Sequence, residues 1–437
     1  MESSHRTKGL LRLTMACNER CPFCNVPAED YPRPTPSEAE TLAELDEFVQ
    51  SGERTLTISG GEPTLLRKRL LRVVREARSR GLDHVELQTN AVLITADYAA
   101  ALAEAGVTSA FVSLLSHRPE EHDTLAGLEG AFAPCVAGID AMLDAGITVT
   151  LNPVVARSTQ ALLPDYLRFV VARLPRVRAI SLSAVQPHGR AAHAPELLPD
   201  YDQLAPMVQE ARAVAAAAGL ELLNPYCGLP ACVGWSDALD RSVEAIEARA
   251  GGWRITPGIE NQGDKAHGPA CASCVLRPVC GGAWRAYWAL REGRGLVPPA
   301  ELVEPWSGTG ELQSVVRGFG APVEATLQAA TTPTVWLWTD RLADRDLPLP
   351  FTHLALEVDA ARPDAASLAR LGRLGGRRVH VGLRLGGTPV DLLPLARVLA
   401  ARGVGTITLL GGEVWERALA PLRAALPGLQ FRVLPRG

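Results

Sequence analysis

The sequence predicts an α/β fold: a partial, TIM-like (β/α)6 barrel, then a cysteine-rich region, then a small C-terminal α/β domain. Three observations predict it. Short apolar runs alternate with amphipathic helical stretches from residue 10 to about 218. Cysteines gather at 17, 21 and 24 and again at 227, 232, 271, 274 and 280, with Cys135 alone between them. Strand–helix alternation then resumes, without cysteine, from about residue 334.

The strand candidates of the first region are Leu10–Ala16, Thr55–Ser59, Val85–Thr89, Ala110–Leu115, Thr148–Val155 and Ile180–Val185. Each is rich in aliphatic or β-branched residues and bounded by turn chemistry. Helical segments fall near 37–51, 65–80, 95–105, 134–145, 161–173 and 202–218. Ser37 and Thr95 offer start signals, and Gly81, Gly106, Gly146 and Gly219 offer stops. Six successive βα units imply a parallel sheet with crossover helices, too short for a closed eight-fold barrel. The barrel is placed at 1–219 and the cysteine-rich region, weakly periodic and rich in Gly, Pro and Trp, at 220–300. A linker at 301–333 and a C-terminal α/β domain at 334–437 follow. GTITLLGGE near its end echoes RTLTISGGE near residue 54, read as a coincidence of strand-then-glycine grammar.

Composition narrows the function classes. Of 437 residues, 47% are apolar and 21% charged, and formal net charge is −4. That is ordinary globular composition, with no basic run to suit nucleic acid or an anionic membrane. No stretch approaches the ~20 apolar residues that span a bilayer, and the first 20 residues lack a signal-peptide pattern. A cytoplasmic protein without membrane or nucleic-acid partners is expected. In such a chain, nine cysteines read as metal ligands or catalytic groups rather than disulfides.

LTMACNERCPFCNVP places C-x3-C-x2-C immediately after the first strand. Thiolates bind iron–sulfur clusters, and three cysteines within eight residues can hold three irons of one cubane, leaving the fourth iron open. The rival is a structural zinc site, but zinc asks for four ligands and no fourth Cys or His lies nearby. The next strand runs into Ser59-Gly60-Gly61-Glu62-Pro63. Two glycines at a strand end let backbone approach a ligand closely, and Glu62 can accept hydrogen bonds from an ammonium group. Alone, this segment would also read as a helix entry with Pro63 at its first position.

Together the two runs resemble the signature of the radical S-adenosylmethionine (SAM) superfamily. There, C-x3-C-x-Φ-C follows the first barrel strand, and a GGEP loop ends the second. Cys17, Cys21 and Cys24 match the cysteines, Phe23 the aromatic position, and Gly60, Gly61, Glu62 and Pro63 the loop. The resemblance implies a 4Fe–4S cluster whose open iron is chelated by SAM, with the GGEP loop at the SAM amino group. It implies further SAM contacts beyond the carboxyl ends of the strands: Asn90, Ser113, Asn152 and Gln186. Ala91 stands where many relatives have glycine, and Asn152-Pro153 where the family's glycine-rich motif would lie. His117, His122 and Asp123 read as a solvated loop, and Cys135 as a core residue.

Cys271-x2-Cys274-x5-Cys280-Gly-Gly is a second metal signal, generic by itself and at home in a zinc site. Downstream of a radical SAM barrel it resembles the SPASM and twitch extensions that hold auxiliary 4Fe–4S clusters. The full SPASM set is incomplete here, so the expectation is one auxiliary cluster on Cys271, Cys274, Cys280 and one of Cys227 or Cys232. Two incompletely ligated clusters are the alternative. Whichever of Cys227 and Cys232 is left over is a candidate hydrogen-atom donor. Trp235, Trp253, Trp284 and Trp288 are expected to shield the region.

The resemblance implies reductive cleavage of SAM to methionine and a 5′-deoxyadenosyl radical, which takes a hydrogen atom from substrate. A flavodoxin- or ferredoxin-like reductant is implied with it. Modification of a ribosomally made peptide is the favoured activity. The alternative is dehydrogenation or rearrangement of a small molecule derived from carbohydrate or nucleotide. An iron–sulfur electron carrier without SAM chemistry is the reading from another class. The first strand begins near residue 10, so an N-terminal winged-helix module of the kind that binds leader peptides is not expected in this stretch.

Overall fold

The computed structural model describes residues 8–52, 54–249, 262–271, 274, 276, 279–298, 301–305, 312–318, 334–339, 353–359, 378–384, 392–401, 404–410 and 416–434. It divides into two compact units, Met1–Leu229 with Ile255–Asp264, and Pro230–Arg254 with Lys265–Gly437.

The strands of the first unit are β1 (Lys8–Thr14), β2 (Thr55–Gly60), β3 (His84–Thr89), β4 (Ser109–Val112), β5 (Thr148–Leu151), β6 (Val154–Val155), β7 (Ala179–Ser181), β8 (Ser183–Ala184) and β9 (Glu221–Leu223). Seven form one sheet in the order β1-β2-β3-β4-β5-β7-β9, every pair parallel. That is the sheet of a partial (β/α) barrel, and it has one strand more than the six read from the sequence. The extra strand, β9, is three residues long and ends at Asn224-Pro225. The expected strand 148–155 is divided, because Pro153 has no N–H to give the ladder; Val154–Val155 instead pairs with Ser183–Ala184.

Helices α1 (Glu38–Gln50), α2 (Arg67–Ser79), α3 (Ala96–Ala105), α4 (Pro119–Ala126), α5 (Phe132–Asp144), α6 (Leu163–Arg173) and α7 (Tyr201–Ala217) connect these strands. Ser37 and Glu40 form a capping box at α1, and Thr95 caps α3 by accepting the Tyr98 N–H. Leu11, Leu13, Leu56, Ile58, Val85 and Leu87 on the strands, with Leu70, Val73 and Leu102 on the helices, are fully buried. The short α4 stands where the sequence pattern suggests a loop.

In the second unit, α8 (Val243–Arg249) precedes the hairpin β10 (Lys265–Ala266) and β11 (Ala283–Trp284), followed by α9 (Arg285–Leu290). A second seven-stranded sheet then runs in chain order: β12 (Glu301–Pro305), β13 (Leu312–Gly318), β14 (Thr334–Thr339), β15 (His353–Asp359), β16 (Arg378–Arg384), β17 (Val404–Leu410) and β18 (Gln430–Leu434). Only β12 and β13 are antiparallel. Two of its strands therefore come from 301–333, the stretch expected to be a linker. Among the described residues no helix is long and apolar enough to cross a membrane.

Ala91 keeps the left-handed conformation (φ 62°) that its glycine-like position demands, fully buried, and its carbonyl lies where a Cβ on Gly138 would fall. An L-residue there costs about 1–2 kcal/mol, against about 0.8 kcal/mol for burying its methyl. Ala91→Gly is therefore expected to leave the urea midpoint unchanged or raised. Ala99→Gly, in the buried face of α3, is expected to lower it, at a cost of about 1 kcal/mol or more in unfolding free energy. Urea unfolding of both variants checks this.

Candidate active site

The register of the first sheet decides what stands at its carboxyl edge. Thr14 pairs with Gly60, Thr89 with Val112, and Val112 with Leu151. The next residues, Gly61, Asn90, Ser113 and Asn152, therefore follow one another along that edge. The cysteine loop leaves the same edge from β1.

The two glycines of the GGEP loop serve that loop first. A Cβ on Gly60 would lie 2.0 Å from the Thr14 carbonyl oxygen, and one on Gly61 2.3 Å from that of Ala16. The Gly61 N–H donates to Thr14 O at 2.6 Å and the Glu62 N–H to Ala16 O at 2.8 Å. The close approach expected toward a ligand is thus made to the root of the cysteine loop. Glu62 is 1% exposed, and its carboxylate accepts hydrogen bonds from within the protein. Oε1 takes Thr64 N–H (3.0 Å), Thr64 Oγ1 (2.5 Å) and Thr89 Oγ1 (2.8 Å), while Oε2 takes Asn90 N–H (2.8 Å). Pro63 opens a 3-10 turn capped by Glu62, so the helix-entry reading of this segment holds as well. The Asn90 side chain passes the connection on, donating to Asn18 Oδ1 at 2.9 Å beside Cys17.

Arg190, which sequence reasoning missed, clamps the other side of the loop. Its N–H donates to Cys24 O and its Nη1 to Cys21 O, both at 3.0 Å, while Nε and Nη2 grip Glu29 at 2.6 Å. Gly189 (φ 53°) lies where a Cβ would meet Cys24 O at 2.2 Å. Its partners are more than 160 residues away in sequence, and no local pattern announces them. Phe23, expected at the cofactor, packs on a core of Leu115, Leu125, Ala126 and Val185. Ser183, also missed, donates to Asn152 Oδ1 at 2.6 Å and touches Cys227 Sγ at 3.2 Å. Gln186 is buried at the end of this edge.

The three thiols stand close enough to raise one another's proton affinity. Burial, above all, pushes Cys17 up to about 12, with Glu62, Glu19 and Cys24 adding to it, and pushes Cys21 and Cys24 up too. Burial also lifts the Glu19 carboxyl, between the cysteines, to about 7. Such thiols become thiolates when a cation neutralises them, which is what an iron–sulfur cluster does. The Glu19 N–H already points at Cys17 Sγ (3.4 Å), and the Asn18 Nδ2 is buried without a partner. The donor set fits a cluster at Cys17, Cys21 and Cys24.

In the second unit, Cys232, Cys271, Cys274 and Cys280 line one small cavity with His267, Leu276 and Leu296. Burial, then the neighbouring thiols of Cys280, Cys274 and Cys271, drives Cys232 well up. Backbone N–H groups of Leu276 and Gly282 point at the sulfurs of Cys274 and Cys280 at 3.4 Å. Cys227 belongs to the first unit, with Ser183. Trp235, Trp284 and Trp288 are buried, while Trp253 lies outside the described residues. Among the described residues no three Cys, His, Asp or Glu side chains are drawn into metal-bonding geometry; the thiols are gathered but not closed.

Residues 11–169 match the family described as the Radical SAM superfamily. The chain carries a radical SAM domain. Its homologues include a probable GTP 3′,8-cyclase of Methanopyrus kandleri, 33% identical over 46% of this chain and 65% of that protein. Another is the PqqA peptide cyclase of Rhodopseudomonas palustris, 33% identical over 37% of this chain and 43% of that protein. The structure of Streptococcus suis SuiB bound to S-adenosylmethionine covers 50% of each chain at 16% identity and TM-score 0.42. The chain thus spans less than two thirds of either curated relative.

The structure corrects the solvated-loop reading for His122 and Asp123, while His117 does precede α4 in a half-buried bend. His122 is fully buried on α4, with Nδ1 accepting the Leu115 N–H (3.2 Å) and its ring edge-on to Phe132. Asp123 accepts from Gly130 N (2.6 Å) and Phe132 N (2.9 Å), fixing the turn into α5. Cys135 is buried on α5, as a core residue.

Two predictions follow from these geometries. Glu62→Ala strands the Thr64 and Asn90 N–H groups and the Thr89 hydroxyl, at ~1–3 kcal/mol each, and Glu62→Gln costs about 1–3 kcal/mol. Denaturant unfolding of the apoprotein is expected to show both losses without SAM or metal. Burial lowers the His122 pKa to about 4, so the folded state holds this ring neutral. Its contribution, ~3 kcal/mol from the shift, is present above pH 6.5 and lost as pH falls toward 4. His122→Phe is expected to flatten the stability–pH profile in that window.

Proposed function

We propose that this chain cleaves SAM reductively at a cluster held by Cys17, Cys21 and Cys24, and uses the resulting radical on a ribosomally made peptide. The observation that carries the radical step is the cysteine loop seated on the Gly60-Gly61 strand end, beside the open carboxyl edge of the sheet. When bound, the reduced cluster would supply one electron to the sulfonium of SAM, whose S–C5′ bond would break to give methionine and a 5′-deoxyadenosyl radical able to take a hydrogen atom from substrate. Asn90, Ser113 and Asn152 offer polar groups along the edge for the ribose and methionine carboxylate, and Gln186 stands at its end to flank the adenine. The Gly60–Gly61 carbonyls offer acceptors for the amino group. Glu62 acts from behind, its carboxylate holding Asn90 and its backbone N–H holding the loop root.

Cys232, Cys271, Cys274 and Cys280 are assigned one auxiliary 4Fe–4S cluster, supported by their shared cavity and by the N–H groups aimed at two of the sulfurs. Cys227, beside Ser183 and Asn152 and outside that set of four, is then the candidate to give a hydrogen atom to a substrate radical. The peptide assignment draws on the PqqA peptide cyclase likeness. The GTP 3′,8-cyclase likeness favours a second reading, a nucleotide-derived small molecule. A flavodoxin- or ferredoxin-like protein would supply the electron.

The test is anaerobic incubation of the reconstituted protein with SAM and dithionite. 5′-Deoxyadenosine and methionine are expected, with yield falling at least 100-fold in Cys17→Ala. Cys232→Ala is expected to lose the iron of one cluster, and Cys227→Ala to retain full iron. No 5′-deoxyadenosine from iron-loaded protein would refute the reading. Candidate peptides encoded beside the gene should change mass; consumption of GTP instead would decide for the small molecule.

A further inference from the structure

A buried ion pair in the second unit has no place in the radical step. Glu244 on α8 and Lys265 on β10 are 7% and 6% exposed, with Nζ 2.5 Å from Oε1. The other carboxylate oxygen, Oε2, accepts the Gly281 N–H at 2.9 Å, one residue beyond Cys280. Lys265 in turn faces Trp284 across the β10–β11 pair, its Nζ 5.1 Å from the ring centroid. Both charges are therefore pinned. The carboxylate cannot swing to solvent, because each of its oxygens has a partner inside the protein. Cys280 is held from several sides. Its sulfur takes N–H groups from Ala231 (3.5 Å) and Gly282 (3.4 Å), and its carbonyl lies 2.7 Å from His267 Nε2.

A buried ion pair is weak as a stabilising device, since an apolar pair of similar volume serves as well or better. Near a metal centre it does something an apolar pair cannot. Reduction adds one negative charge to a cluster, and a fixed charge a few bonds away acts on it through a medium that screens poorly. Glu244 is such a charge, fixed beside a ligand, and Lys265 is its counterweight.

We propose that Lys265 cancels the field of the buried Glu244 carboxylate, so that neither charge alone shifts the reduction potential of the metal centre held by Cys232, Cys271, Cys274 and Cys280. This rests on the assignment of an auxiliary cluster to those four cysteines. Glu244 is a positioning residue: it acts through the Cys280–Gly281 backbone and through space, and touches no substrate.

The test uses the full chain carrying Cys17→Ala, Cys21→Ala and Cys24→Ala, so that only the second centre remains, titrated by EPR. In that background Glu244→Gln keeps an oxygen for the Gly281 N–H but leaves Lys265 uncompensated. It is expected to raise the reduced-to-oxidised ratio at a fixed potential at least tenfold, about 59 mV for a one-electron couple. Glu244→Gln/Lys265→Met removes both charges and is expected to return toward the parent value, and Lys265→Arg to stay at it. Equal potentials in the single and double variants, whatever their value, overturn the proposal, because both keep the backbone hydrogen bond. Should Glu244→Gln lose its iron, Lys265→Gln at pH 9 carries the test: a lowered potential supports the pair, an unchanged one overturns it. A background protein that binds no iron refutes the cluster assignment itself, a result distinct from an unmoved potential.

Discussion

A single buried residue, Glu62, ties together three strand ends of the first sheet through its carboxylate and its backbone N–H. Glu62 belongs to the turn after β2, takes its hydrogen bonds from Thr64 and from Thr89 and Asn90 at the end of β3, and gives its own N–H to Ala16 beyond β1. Burial raises the proton affinity of Glu62, and removing a carboxyl group from water is costly unless its oxygens are satisfied; here four donors satisfy them. The position of the cysteine loop depends on that arrangement. Because Gly60 and Gly61 have no side chains, the loop root lies directly on the end of β2, and Asn90 reaches on to Asn18 beside Cys17. Arg190 closes the loop from the opposite side. The loop that bears three thiols is thereby held by groups that are not themselves ligands.

The two cysteine groups pose the same electrostatic problem in different surroundings. Several thiols are brought together and buried, which favours the protonated form, and each makes its neighbours harder to ionise. A cation reverses the balance. The N–H groups aimed at Cys17, Cys274 and Cys280 would stabilise thiolate sulfur once metal is present. The first group has three cysteines at an open sheet edge. The second has four around a small cavity with apolar walls. An incomplete set beside a substrate edge suits binding and chemistry at the metal, while a complete set suits electron transfer or structure.

Much of the barrel is legible in sequence because its signals are local. Ser37 with Glu40, Thr95, and the glycines after four of the helices mark helix ends by hydrogen bonding and backbone conformation that any context would require. The cysteine spacing and the strand-then-GGEP grammar mark the loop. Less legible is anything set by distant partners. Glu62 reads equally well as a ligand group or as a brace until Thr89 and Asn90 are seen around it. Arg190 has no motif, since its partners lie at the other end of the domain. Cys227 and Cys232 are five residues apart yet fall in different units, a distinction no spacing rule could supply. β9 is too short to show periodicity, and β12 and β13 lie in a stretch whose composition reads as linker.

The most direct test of this account is the EPR spectrum of the dithionite-reduced protein with and without SAM. SAM should shift the signal that Cys17→Ala removes and leave untouched the signal that Cys232→Ala removes. If SAM shifts the second signal instead, or shifts neither, the assignment of the open centre to the β1 loop is contradicted.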